Sequence, residues 1–153
     1  HTLLRLSDSE LTEENAQRYK SLKIIDITAW LSEVAMPRLA VVSPKERVLL
    51  HPTCAARLSG LQEAMVNVAR QCAHEVEVPV NCQCCGAAGD RGFIYPEVAR
   101  SATAPERAEI GDKEYDGYYS LARTCEISMN STIGRPYESI VYLVDETTEA
   151  KKR

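Results

Sequence analysis

Apolar positions along this chain fall into short runs, some repeating at helical spacing and some alternating like strands. The first twenty residues, HTLLRLSDSELTEENAQRYK, are polar and read as loose or helical, and SLKIID is the first strand-like run. After Asp26, a side chain suited to a helix N-cap, Ile27, Trp30, Leu31, Val34 and Ala35 recur at helical spacing. Trp30 is expected in the core, and Pro37 is expected to close the helix. ERVLL at 46–50 reads as a buried strand running into HPTC. A helical pattern follows through Leu61, Met65, Val68, Ala69 and Cys72, with Gly60 separating a short first turn from the main helix. HEVEVPV alternates like a strand and delivers the chain to Cys82. Pro96 suits the first turn of a helix through EVARSATAPERAEI, kinked or restarted at Pro105. YYSLA is a strand leading toward Cys125, and Thr124 is placed to cap a short helix that stops near Gly134. Ile140, Leu143, Val144 and Thr147 fit a helix, although a strand of that length has the same pattern.

Strands alternating with helices predict an α/β fold: a small, mainly parallel sheet of about four strands flanked by helices. At 153 residues the chain is long enough for one ordinary core, and 26% charged residues beside 44% hydrophobic ones mark a folded chain rather than a disordered one. A net charge of −4, with no basic stripe, argues against a nucleic-acid partner. No apolar run approaches the roughly 20 residues of a membrane span. No signal-peptide pattern is read at the start. The opening His1, in place of methionine, is the expectation for a piece of a longer chain.

Six cysteines change this picture more than any other feature. Without a secretory signal they favour reduced thiols over a disulfide scaffold. Three of them crowd into NCQCCGAAGDRG, with single cysteines far away on both sides at Cys54 and Cys125. Cys54, the Cys82–Cys85 stretch and Cys125 each follow a predicted strand, so the topology of a parallel sheet would gather their loops at its carboxyl edge. Cys54, Cys84, Cys85 and Cys125 supply four thiolates, enough for a tetrahedral zinc or a 4Fe–4S cluster. Gly86 and Gly89 would let the backbone approach such a group closely. Cys82 is open between a fifth ligand and a core residue; Cys72, on the apolar face of its helix, reads as core. His51 is placed to donate a hydrogen bond to a cluster sulfur rather than to ligate. GAAGDRG lacks the GK[ST] ending of a phosphate loop, and neither GxSxG nor HExxH occurs, so no catalytic residue is assigned.

The stretches HPTCAARLSG, CCGAAGDRGFIYPE, YDGYYSLARTCEISM and SIVYLVDE resemble the cysteine-rich CCG domain of heterodisulfide reductases, glycolate oxidase iron–sulfur subunits and FAD-linked D-lactate dehydrogenases. GDRGF and TCEIS are most similar to the last group. The resemblance covers residues 22–148, between a polar segment at 1–21 and a charged tail at 149–153. It implies an iron–sulfur domain, of 4Fe–4S type or in some cases zinc-binding, that carries electrons away from a flavin. Its partners would be FAD and ferredoxin-type domains of a longer parent chain, and a quinone or cytochrome-type acceptor. The parent would be a cytoplasmic D-2-hydroxyacid dehydrogenase, or one peripheral to the inner membrane, with this portion not itself catalytic. One departure stands out: many family members close the pattern with CxxC, whereas CEIS places Ser128 at the second cysteine. A structural zinc-binding or cluster-free subunit-interaction domain is the alternative.

Overall fold

Val48, Leu49 and Leu50 are three consecutive, fully buried apolar residues, and the molecule is organised around them. The computed structural model describes residues 11–151. Strand β2 (Lys45–Leu50) lies between β3 (Ala73–Glu77) and β4 (Gly117–Ser120), with β5 (Tyr137–Ser139) beyond β4, and all neighbours pair in parallel. Successive residues of a strand face opposite sides. Val48, Leu50 and Tyr119 accordingly pack with Met65, Val68, Ala69 and Cys72 of α4 (Gln62–Cys72) and with Ile140, Leu143 and Val144 of α8 (Ile140–Thr147). Leu49 and Tyr118 join the other core, with Ile110 of α6 (Pro96–Ile110) and Met129 of α7 (Arg123–Ile133). A strand covered on both faces must be apolar throughout, which is why ERVLL does not alternate.

The expected α/β architecture is therefore present, and α8 settles as a helix. Pro105 lies inside an unbroken α6, with Pro96 at its first turn. Gly134, at φ 78°, ends α7 in the left-handed region. Thr124 does not cap that helix; Ala122 holds the N-cap position, without a side-chain hydrogen bond.

Other expectations are corrected. SLKIID forms no strand: Ser21 ends α1 (Glu13–Ser21), and residues 22–26 run as irregular chain. Asp26 does cap α2 (Ile27–Trp30), accepting from the Thr28 amide at 2.8 Å. The helical path then widens into a π turn over Leu31–Ala35 and tightens into a 3₁₀ turn over Met36–Arg38, so Pro37 sits within the last turn. That change of pitch buries Leu31, Ala35 and Met36 and leaves Trp30 41% exposed, outside the core where it was expected. Two three-residue strands, β1 (Leu39–Val41) and β6 (Thr148–Ala150), pair antiparallel, so the expected charged tail begins within a strand. The start of the N-terminal segment, residues 1–10, lies outside the described residues. Among those described, no helix is long and apolar enough to cross a membrane.

The chain order positions the site. From β2 the chain moves to β3 on one side and returns to β4 on the other, so the carboxyl ends of β2 and β4 lie side by side where the winding reverses. A sheet with that reversal opens a crevice there.

Candidate metal centre

Two strand ends and one loop build the crevice. The His51 amide continues the β2–β4 ladder by donating to the Tyr119 carbonyl at 2.8 Å, and the Ser120 hydroxyl donates to the His51 carbonyl at 2.9 Å. Thr53 then caps α3 (Cys54–Leu58), accepting from the Ala56 amide at 3.1 Å, and so sets Cys54 at the helix start, exposed. Beyond β3 the loop through Cys82–Cys85 is held from both sides. Glu109 of α6 accepts the amides of Val80 and Asn81 at 2.7 and 2.8 Å. Arg57 of α3 donates to the carbonyls of Cys82 at 2.6 Å and Gln83 at 2.5 Å.

The structure pairs Cys85 with Cys125 and sets Cys84 beside Cys54. The Cys85 and Cys125 sulfurs lie 3.0 Å apart, Cys125 coming from the first turn of α7. Cys84 lies near Cys54 and accepts from the Gly86 amide at 3.4 Å. The hydrogen bond shared by the two thiols, opposed by burial, pulls the Cys85 thiol below the ordinary thiol range; the same bond, together with burial, pushes Cys125 well above it. Burial raises Cys84.

This arrangement bears on what could bind. A tetrahedral zinc with bonds of about 2.3 Å spaces its sulfurs about 3.8 Å apart, all mutually close. Among the described residues, the three ligand atoms found within 4.8 Å of one another are not thiols but those of His51, Cys82 and Glu106. Two pairs of thiols offer soft donors of the kind that bind zinc or iron.

Gly86, Gly89 and His51 have defined surroundings. Gly86 (φ 72°) does allow a close approach, but to a helix: a Cβ there would meet the Ala99 Cα of α6 at 2.5 Å. Gly89 (φ 79°) has open space around it and serves a left-handed turn in the loop. His51 is engaged by a carboxylate and a thiol. Its Nδ1 lies 2.8 and 3.1 Å from the two carboxylate oxygens of Glu106 and 3.4 Å from the Cys82 sulfur.

Cys82 thus belongs with His51 and Glu106, and burial followed by the Glu106 charge pushes its thiol up to about 12. These three side chains form a buried group able to hold a metal ion. Ser128 is engaged elsewhere, donating to the Cys85 carbonyl at 2.6 Å. Cys72 is a core residue, its thiol raised by burial. An open apolar groove of about 440 Å³ lined by Trp30, Leu31, Val34, Val141 and Val144 includes none of these donors, so chemistry and not cavity size marks the centre.

Arg57, Glu106 and Glu109 were not foreseen. Glu106 had a signal: Ala99, Thr103, Glu106 and Ile110 are spaced as one buried helix face, and a carboxylate within such a face needs a partner. No family model, curated protein or solved structure matches this chain at a significant level. Fold and site together define a cysteine-rich α/β domain with a candidate metal centre at the reversal point of its sheet.

Proposed function

We propose that this chain is an electron-transfer domain whose thiols Cys54, Cys84, Cys85 and Cys125 hold an iron–sulfur cluster. The observation that carries the reading is the Cys85–Cys125 contact, with Cys84 of the same loop beside Cys54. When bound, the cluster would supply one-electron transfer. The protein's part is to keep thiols poised. The Gly86 amide donates to the Cys84 sulfur, and amide donors to sulfur raise a cluster's potential. Ser128 fixes the Cys85 carbonyl, holding the backbone just after the second of the adjacent thiols. The exposure of Cys54 and Cys84 leaves one side of the centre open to a partner that exchanges electrons.

The resemblance of the cysteine stretches to the CCG domain supplies the wider context of the proposal: the carboxyl-terminal part of an FAD-linked D-2-hydroxyacid dehydrogenase. There a flavin domain and a ferredoxin-type domain would deliver electrons, and a quinone or cytochrome-type acceptor would receive them. Anaerobic reconstitution with iron and sulfide tests the reading. Iron and acid-labile sulfide in equal amounts, with a charge-transfer spectrum lost in Cys85→Ser, are expected. Colourless, iron-free protein after anaerobic reconstitution would sink it, and uptake of zinc by the same thiols would select a structural role.

A further inference from the structure

We infer that His51, Cys82 and Glu106 form a second, mononuclear site for a zinc-class divalent cation, separate from the four-thiol centre. The site stands whether or not those thiols hold a cluster.

Geometry comes first. Zinc bonds of about 2.0 Å to nitrogen and oxygen and about 2.3 Å to sulfur set tetrahedral edges of about 3.3 Å between N and O and about 3.6 Å between N and S. The observed separations from His51 Nδ1 are 2.8 and 3.1 Å to Glu106 and 3.4 Å to Cys82. A cation therefore needs the side chains to open by only a few tenths of an ångström. Both carboxylate oxygens face Nδ1, so Glu106 can provide two donors and complete four.

Charge points the same way. The three side chains are 0%, 4% and 2% exposed. With no metal the buried thiol keeps its proton, and a cation that displaces it would bind a thiolate beside a carboxylate. A divalent cation makes the group electrically neutral, and a thiolate–imidazole–carboxylate set selects zinc over calcium or magnesium. Two polar atoms in this region, His51 Nε2 and Tyr137 Oη, are buried without a hydrogen-bond partner among the described residues. Tyr137 stands edge-on to His51, with ring centres 6.3 Å apart, and its hydroxyl feels the charge of Glu106 and then Cys82. A cleft of about 280 Å³ lined by Arg57, Gln62, Val78, Pro79, Val80 and Cys82 borders the site.

The ligands come from the end of β2, the cysteine loop and α6. A cation joining them would tie the loop that carries Cys84 and Cys85 to the sheet and to α6.

The test uses Cys54→Ser/Cys84→Ser protein, in which the two exposed thiols of the other centre are removed, and titrates it with zinc or cobalt(II) alone. One equivalent is expected to bind, with cobalt giving tetrahedral visible bands and a sulfur charge-transfer band. Adding Glu106→Gln, which keeps an oxygen acceptor for His51, should weaken binding by roughly a hundredfold, and Cys82→Ser should do the same. Circular dichroism checks that each variant folds, and Cys82→Ser decides if Glu106→Gln does not. Unchanged affinity in the folded variant, or no binding by the folded parent, overturns the site. Metal lost only with Cys85 or Cys125 also overturns it. Iron and sulfide assays of the full chain report the cluster separately, so the two readings fail independently.

Discussion

Gly86 and Gly89 share a left-handed backbone but differ in their surroundings, and substitution should separate the two effects. A methyl at Gly89 adds only the left-handed penalty, about 1 kcal/mol. At Gly86 the methyl also meets the Ala99 backbone at 2.5 Å, and the loop must leave α6. Gly86→Ala should cost about 2–4 kcal/mol in urea unfolding, Gly89→Ala about 1 kcal/mol. Equal losses would mean that the contact with α6 is not tight. The Cys85–Cys125 pair makes a prediction in pH. The lowered Cys85 thiol contributes stability that is complete above its unfolded value and lost as pH falls through its folded one. The raised Cys125 thiol contributes stability that is complete below its unfolded value and lost as pH rises through its folded one. Their sum peaks near the ordinary thiol value of about 8.5. Metal-free protein should show that maximum, and Cys125→Ala should flatten it while moving thiolate ultraviolet absorbance to higher pH. An unmoved absorbance would show that the two thiols do not share a proton.

Among elements, the cysteine loop depends on its neighbours more than on itself. Arg57 spans two adjacent carbonyls with one planar group, which a lysine cannot reproduce. Each hydrogen bond to a charged group is worth about 1.5–3 kcal/mol when sheltered. Arg57→Ala should therefore speed amide exchange around residues 82–86 by roughly ten- to a hundredfold and leave β2 unchanged. Uniform acceleration across the sheet would instead make Arg57 part of the global fold. This clamp marks where the sequence stopped being legible. ERVLL, the α4 face and the Pro96 start could be read because local periodicity and burial agree there. The approach of Cys85 to Cys125 could be read because each lies beyond a parallel strand and parallel strands end on one edge. The partners of His51 could not: Glu106 is 55 residues away, and helical periodicity says which face it occupies but not what it meets. SLKIID failed for a related reason, since β propensity in five residues is outweighed when no neighbouring strand accepts the pairing. Trp30 failed because a π turn shifts the buried face, and nothing in the apolar spacing announces that shift.

At the scale of the molecule, four short parallel strands have few ladder bonds, and charges close the sheet where strand length does not. Arg47 of β2 donates to Glu77 of β3 at 2.7 Å and lies 4.7 Å above the Tyr115 ring. Glu77 also accepts from Lys113 at 2.8 Å and from the Tyr115 hydroxyl at 2.7 Å, both in the segment leading to β4. One carboxylate therefore ties β3, β2 and the approach to β4. Burial raises the Glu77 carboxyl, but the hydrogen bonds from Lys113 and Tyr115 and the charges of Lys113 and Arg47 outweigh it, leaving it below the usual range. A lowered carboxyl contributes stability that is complete above its unfolded value of about 4.3 and is lost as pH falls through its folded value. Glu77→Gln should thus be less stable than the parent at neutral pH, with the difference shrinking below about pH 4 as the parent's carboxylate is protonated. Urea unfolding at a series of pH values reads both curves. Convergence in acid is the expected result, and curves that stay parallel down to pH 3 would show that Glu77 acts through packing and not through its charge.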